Sequence, residues 1–178
     1  MIAIITVGMS CSGKSSIAKA LVGNDNMQEI NRDYLRSELF LGGDKDLSKY
    51  KPTKETEAYI NKAQTQFIGK AVSENADMIL SDTHLNEPLI NHSIEELRKF
   101  PKIDDIYLLF FHFNNVNEAG KRGKTRGYCI PELSLERQSR ELNSLKVRLG
   151  VTEQEQASLY RLDGLRATKE TISHVADF

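Results

Sequence analysis

At 178 residues the chain can bury one full core but is short for two domains of ordinary size, so a single domain over residues 1–178 is expected. Its 24 basic and 25 acidic residues leave a formal net charge of −1, which excludes a polycation built to coat nucleic acid or membrane; an anionic partner must be held by a local patch. The two cysteines make no disulfide framework and suit a reducing cytoplasm, and no apolar run nears the roughly 20 residues that cross a bilayer.

Ile2 to Val7 is apolar except for Thr6 and reads as a strand buried on both faces. It lacks the cationic start and cleavage site of a signal peptide, and it runs straight into Gly8-Met9-Ser10-Cys11-Ser12-Gly13-Lys14-Ser15-Ser16. The spacing Gly-x-x-x-x-Gly-Lys-Ser between a strand and a helix is that of a phosphate-binding P-loop. Glycines at the loop ends let backbone N–H groups face phosphate oxygens, and the helix that follows adds its positive end. Gly8, Ser10, Cys11, Ser12, Gly13, Lys14, Ser15 and Ser16 are the expected nucleotide contacts, with Lys14 on the β/γ phosphates and the Ser15 hydroxyl on Mg²⁺. Cys11 itself reads as a small loop filler.

Beyond a first helix ending near Val22, Met27 to Asn31 reads as a short second strand and Arg32 to Phe40 as a helix with Leu35, Leu39 and Phe40 inward. Asp33 then falls just past the carboxyl end of a strand, where open α/β sheets bind ligands. Pro52 suits the first turn of a long helix reaching about Ala76, with Ile60, Ala63, Phe67 and Ala71 at helical spacing. Met78 to Thr83 is a third strand carrying Asp82, and Glu87 to Phe100 a helix with Leu89, Ile90, Ile94 and Leu97 inward. Ile106 to Phe113 is too continuously apolar for an exposed strand and belongs centrally in a parallel sheet.

A basic segment follows, Lys121-Arg122-Gly123-Lys124-Thr125-Arg126-Gly127, within an expected lid spanning about 116–131. Pro131 opens a helix to about Leu149, with Leu135, Leu142, Leu145 and Leu149 inward and Gly150 as its cap. Ser158 to Gly164 reads as a last strand, and Thr168 to Val175 as a closing helix. Alternating strands and helices define an α/β, doubly wound parallel sheet of about five strands, of the P-loop kinase type. The four histidines show no zinc-ligand spacing and read as core or surface residues.

The P-loop, Ile30-Asn31-Arg32-Asp33 with Arg36, Ser81-Asp82-Thr83-His84-Leu85-Asn86, and Arg122/Arg126 ahead of Ile130-Pro131 together resemble the phage-type polynucleotide 5′-hydroxyl kinases. Lys51-Pro52-Thr53-Lys54 is also similar to that family, and the resemblance runs from Ile2 to about Leu149. It implies transfer of the γ-phosphoryl group of ATP, with Mg²⁺, to the 5′-hydroxyl of a DNA or RNA end, in the host cytoplasm if the chain is phage-encoded. Asp33 would be the base taking the hydroxyl proton, although aspartate is also a favoured helix start. Arg36 would clamp the acceptor's phosphate, and Arg126 would stabilise the transition state. Arg122 would assist at the nucleotide, and Asp82 would serve the acceptor pocket or a Mg²⁺-bound water. The family also suggests self-association into a homo-oligomer.

The sequence departs from the familiar phage enzyme, whose kinase module precedes a phosphatase domain with an Asp-x-Asp-Gly-Thr nucleophile motif. Here Arg161-Leu162-Asp163-Gly164-Leu165 lacks that nucleophile, so kinase activity without 3′-phosphatase activity is expected. A kinase of a nucleoside, nucleotide, sugar acid or antibiotic uses the same architecture, and a nucleotide-binding regulatory module is a third reading.

Overall fold

A computed structural model describes residues 1–24, 26–44, 46–125, 130–151, 157–163 and 166–170. The chain runs β1 (Ile2–Val7), α1 (Lys14–Asn24), β2 (Met27–Ile30), α2 (Arg32–Phe40), a 3-10 turn (Leu47–Lys49) and α3 (Lys54–Ser73). It continues through β3 (Asp77–Leu80), α4 (Glu87–Arg98), β4 (Asp105–Phe111), α5 (Val116–Thr125), α6 (Glu132–Leu149), β5 (Ala157–Asp163) and β6 (Arg166–Glu170). The sheet order is β2-β3-β1-β4-β5-β6. β1 pairs in parallel with β3 and β4, and β2 in parallel with β3, so the P-loop strand is central. The chain leaves β1 toward β2 on one side and places β4 on the other, so the loop after β1 sits where the winding reverses.

The α/β doubly wound expectation holds for these four strands. The sheet then becomes mixed, because β5 runs antiparallel to β4 and β6 antiparallel to β5. The helix expected from Thr168 is corrected there: Thr168 to Glu170 belong to β6, hydrogen-bonded to β5, and the rest of that predicted helix lies outside the described residues. Too few residues separate β5 from β6 for a crossover helix, and the two strands pair antiparallel.

Local signals set the helix ends. Thr53 caps α3 in a reciprocal box with Thr56, which puts Pro52 just outside the helix instead of in its first turn. Pro131 likewise precedes α6 as its capping residue, and Gly150 closes that helix in a left-handed conformation. The central core is built from Ile5, Val7, Met78, Leu80, Leu108 and Phe110, which share one face of the sheet, with helix residues such as Ile68, Leu97, Leu142 and Leu145 packed against them.

Four predicted core positions face outward. Leu39 and Phe40 of α2, Phe67 of α3 and Leu89 of α4 are exposed, while Leu35, Ile68 and Ile90 take the buried positions beside them. In α3 the buried stripe is Ile60, Gln64, Ile68 and Ala71, an i, i+4, i+8, i+11 spacing that leaves Phe67 on its border.

Candidate active site

The P-loop is shaped by close packing from behind. A Cβ at Gly8 would stand 2.8 Å from the Cβ of Phe111, so only glycine lets β1 turn here against β4. Gly13 has φ 107°, and Cys11 takes φ 62° despite its Cβ, an uncommon conformation that bends the loop around. Met9 and Cys11 are buried with Ala119 of α5 and Leu135 of α6, so the loop rests on the helix pair that follows β4. Lys14 is buried, and its Nζ donates to the carbonyls of Gly8 at 2.9 Å and Met9 at 2.7 Å. Ser15 stands half-buried at the head of α1, and the hydroxyl of Ser12 is buried without a partner.

Two contacts bind this loop to the helices beyond β4. The backbone N–H of Ser10 donates to Oε1 of Gln138 at 2.8 Å. Arg122 lies 4.4 Å from the ring centre of Phe113, pairs with Glu118, and donates to the carbonyl of Cys11 at 3.4 Å. Arg122 therefore stands beside the loop on α5. Arg126, the other arginine expected at the nucleotide, lies outside the described residues.

A second cluster forms along the same sheet edge. Asn31, between β2 and α2, is the helix cap: its Oδ1 accepts from the N–H groups of Asp33 at 2.8 Å and Tyr34 at 3.1 Å. Asp33 is relieved of capping, and its side chain is 60% exposed. Arg36, one turn on, donates to Asp33 at 2.7 Å and to both oxygens of Glu57 on α3, at 3.2 and 3.0 Å. Arg32 adds a third guanidinium contact to Glu57 at 2.8 Å, and the Tyr50 hydroxyl donates to it at 2.9 Å. Burial opposes the charge on Glu57, but these donors outweigh it and hold its carboxyl at about 2. Burial likewise works against the Arg36 cation, and the hydrogen bonds and charges of Glu57 and Asp33 keep it above its ordinary value.

Asp82 joins the two clusters. Its Oδ1 accepts the N–H of Arg32 at 2.9 Å, so it caps α2, while α4 is capped by Asn86. Its carbonyl accepts the Thr6 hydroxyl at 2.7 Å, and the next carbonyl, of Thr83, accepts the N–H of Gly8 at 2.9 Å. A line of hydrogen bonds thus runs from the start of α2 to the start of the P-loop. Oδ2 of Asp82 is buried without a partner. Burial, with the charge of Asp33 adding to it, pushes this carboxyl up to about 7.

His84 follows at φ 43°, with Nδ1 at 2.9 Å from the carbonyl of Thr6 and Nε2 at 2.9 Å from the Ser93 hydroxyl. The carbonyl can only accept, so Nδ1 carries the proton and Nε2 receives the serine hydroxyl. Burial lowers its pKa to about 4, and it stays neutral. Arg32, Asp33, Arg36, Asp82, His84 and His92 line a cavity of about 140 Å³, with Leu89 also in its wall.

The sequence singles out Asp33, Arg36 and Asp82 as site residues; Arg32 and His84 fall within the matching motifs without a role assigned to them, and Glu57, Tyr50 and Gln138 are not singled out. Asp33, Arg36 and Asp82 line one cavity, whereas the P-loop residues and Arg122 form the neighbouring cluster around β1. The signal for Glu57 was its place in the first turn of α3, just after the Lys51-Pro52-Thr53-Lys54 match; its partner lies 21 residues back.

A Gly-x-x-x-x-Gly-Lys-Ser loop between a central parallel strand and a helix, beside a polar cavity at the carboxyl ends of β2 and β3, defines an α/β P-loop fold of the kinase type. Residues 4–101 match the AAA domain family, and the chain belongs to it.

The chain is 38% identical over 91 residues to a protein of Autographa californica nuclear polyhedrosis virus assigned as a bifunctional polynucleotide kinase/RNA ligase; the match covers 47% of this chain and 12% of the viral protein. Its fold is similar to a chain of the Pnkp1/Rnl/Hen1 RNA repair complex, with a TM-score of 0.69 and 22% identity over 88% of this chain and 47% of that one. A gluconokinase from Sinorhizobium meliloti 1021 shares the fold at a TM-score of 0.52, with 20% identity over 79% of this chain and 74% of the other. The chain therefore spans less than half the length of the first two relatives.

The residues present suit Mg²⁺ and a nucleoside triphosphate. Magnesium is commonly held by one or two protein oxygens together with phosphate oxygens and water, and the half-buried Ser15 hydroxyl at the helix head is such a donor. The partnerless Oδ2 of Asp82 is a second oxygen suited to ordering water nearby.

Proposed function

We propose that this protein is an ATP-dependent kinase that transfers the γ-phosphoryl group to the 5′-hydroxyl end of DNA or RNA. The observation that carries the reading is the cavity one strand away from the P-loop, in which an exposed carboxylate, Asp33, is held by an arginine that Glu57 fixes in place. In-line transfer to an alcohol needs a gripped donor, a positioned acceptor and a base. Lys14 and the loop amides grip the β/γ phosphates. The Ser15 hydroxyl would hold magnesium, which would supply charge neutralisation at the phosphates. Asp33 accepts the hydroxyl proton, and Arg36, fixed by Glu57 through Nε and Nη2 and by Asp33 through Nη1, turns the second N–H of each Nη to the phosphate beside the reacting hydroxyl. Asp82 seats Arg32 and the start of α2 and so aims Asp33. Arg126 and Arg122, from the lid, would stabilise charge growing on the transferred group. The similarity to a viral protein assigned as a polynucleotide kinase supports the acceptor class.

A small-molecule kinase is the second reading, favoured by the modest cavity volume and by the shared fold with a gluconokinase. Labelled ATP offered with a 5′-hydroxyl oligonucleotide, free nucleosides and gluconate separates the two, because only one class takes the label. Label on gluconate or nucleosides alone would overturn the polynucleotide reading, and tight ATP binding with no labelled acceptor would favour a regulatory module. Asp33→Asn should reduce turnover by about a hundredfold or more while ATP still binds; an undiminished rate would remove Asp33 from the mechanism.

A further inference from the structure

We infer that the outer face of α2 and α3 is a stacking platform for the nucleotides that follow the 5′ end of a single-stranded acceptor, an assignment that rests on the polynucleotide reading above. A row of rings leads out from the cavity. Arg36, which lines it, lies 5.7 Å from the ring centre of Tyr50. The rings of Tyr50 and Phe40 are 5.6 Å apart, and those of Phe40 and Tyr59 6.5 Å. Exposure rises outward along this row, from 38% at Phe40 to 67% at Tyr59, and Tyr34 on α2 is 59% exposed.

These rings have no call on the core. Leu35 fills the buried face of α2, and Ile60, Ile68 and Ala71 fill that of α3. Large apolar groups left in water at helix positions that need none mark a surface meant to be covered. Three features choose the occupant. Aromatic faces accept any nucleobase, and stacking on them is the common affinity source for single strands. Lys51, next to Tyr50 in the chain, and Lys54 and Lys62, on α3 with Tyr59, are exposed and in no ion pair among the described residues, and Glu57 is already neutralised by Arg32 and Arg36. The row is also continuous, through Arg36, with the cavity that takes the strand's end. Glu38 and Glu55 are exposed nearby, so stacking supplies more of the binding than phosphate neutralisation, in keeping with a net charge of −1.

The chain has no tryptophan, so Tyr59→Trp installs a single reporter. A 5′-hydroxyl hexanucleotide should quench its emission, at low salt and without ATP, and a nucleoside 3′-phosphate should not. In steady-state assays the KM should fall from the nucleoside 3′-phosphate through a trinucleotide to the hexanucleotide. Tyr59→Ala should then raise the hexanucleotide KM about tenfold more than the nucleoside 3′-phosphate KM, the loss of one stacked base. Tyr59 is on the surface, and far-UV circular dichroism checks that both variants fold. Emission unmoved by saturating hexanucleotide, or a KM independent of acceptor length, overturns the platform and hands the face to a protein partner. Quenching with no label transferred to any oligonucleotide keeps the platform and overturns the polynucleotide-kinase assignment, so the two readings fail separately.

Discussion

Replacing Asp82 by Asn should change how the stability of this protein depends on pH, and the structure sets both the sign and the size. Asp82 is raised from an ordinary 3.8 to about 7, so between those values the folded chain holds a proton that the unfolded chain has released. Its contribution to stability is present below pH 4 and lost as pH rises toward 7, at up to about 1.4 kcal/mol per pH unit and about 4 kcal/mol in all. His84 acts in the opposite sense. Lowered from 6.5 to about 4, it stays neutral in the folded chain while the unfolded chain takes up a proton. Its contribution is present above pH 6.5 and lost as pH falls toward 4, amounting to about 3 kcal/mol.

The two slopes oppose each other between pH 4 and 6.5, so these sites leave the wild-type profile nearly flat there. Asn at position 82 keeps the oxygen that accepts the N–H of Arg32 but cannot titrate. The variant should therefore gain stability with rising pH across that window, at about 1.4 kcal/mol per unit, and exceed the wild type above pH 7 by up to about 4 kcal/mol. Urea unfolding followed by far-UV circular dichroism at half-unit steps from pH 4 to 8 measures this directly. A variant profile parallel to the wild type throughout would refute the assignment of a protonated, buried Asp82.

Gln138→Ala leaves the N–H of Ser10 without its side-chain acceptor; the KM for ATP should rise about two- to tenfold with a smaller change in kcat, read in initial-rate assays. Gly8→Ala drives a methyl to 2.8 Å from Phe111, and a thermal melt should show a loss of about 1–3 kcal/mol together with weaker nucleotide binding. Glu57→Gln removes the charge that Arg32 and Arg36 share; the acceptor KM should rise about tenfold while the KM for ATP moves little, and equal changes in both would argue against a role confined to the acceptor side.

What the sequence determined by itself was whatever is encoded over a few neighbouring residues. The strand Ile2–Val7, the loop spacing from Gly8 to Ser15 and the order of strands and helices through Leu149 follow from periodicity, capping and glycine placement. Asp33 was picked out by its place just past a strand, Arg36 by lying one helical turn beyond it and Asp82 by ending the third strand, while the roles expected of them came from the family resemblance. Tertiary structure decided which partners these residues meet. Asp82 caps a helix 50 residues earlier in the chain instead of the one that follows it, because β3 lies beside β2. Glu57 meets Arg36 across 21 residues and Gln138 meets Ser10 across 128, contacts set by how α3 and α6 lie on the sheet. The outward Leu39, Phe40 and Leu89 belong to the same class: a hydrophobic side chain can be read from a sequence, but the packed neighbours choose which face of its helix is buried. β5 and β6 were decided by pairing as well: β4 offered a free edge that β5 takes antiparallel after α5 and α6, and the short return from β5 leaves β6 to run antiparallel to it.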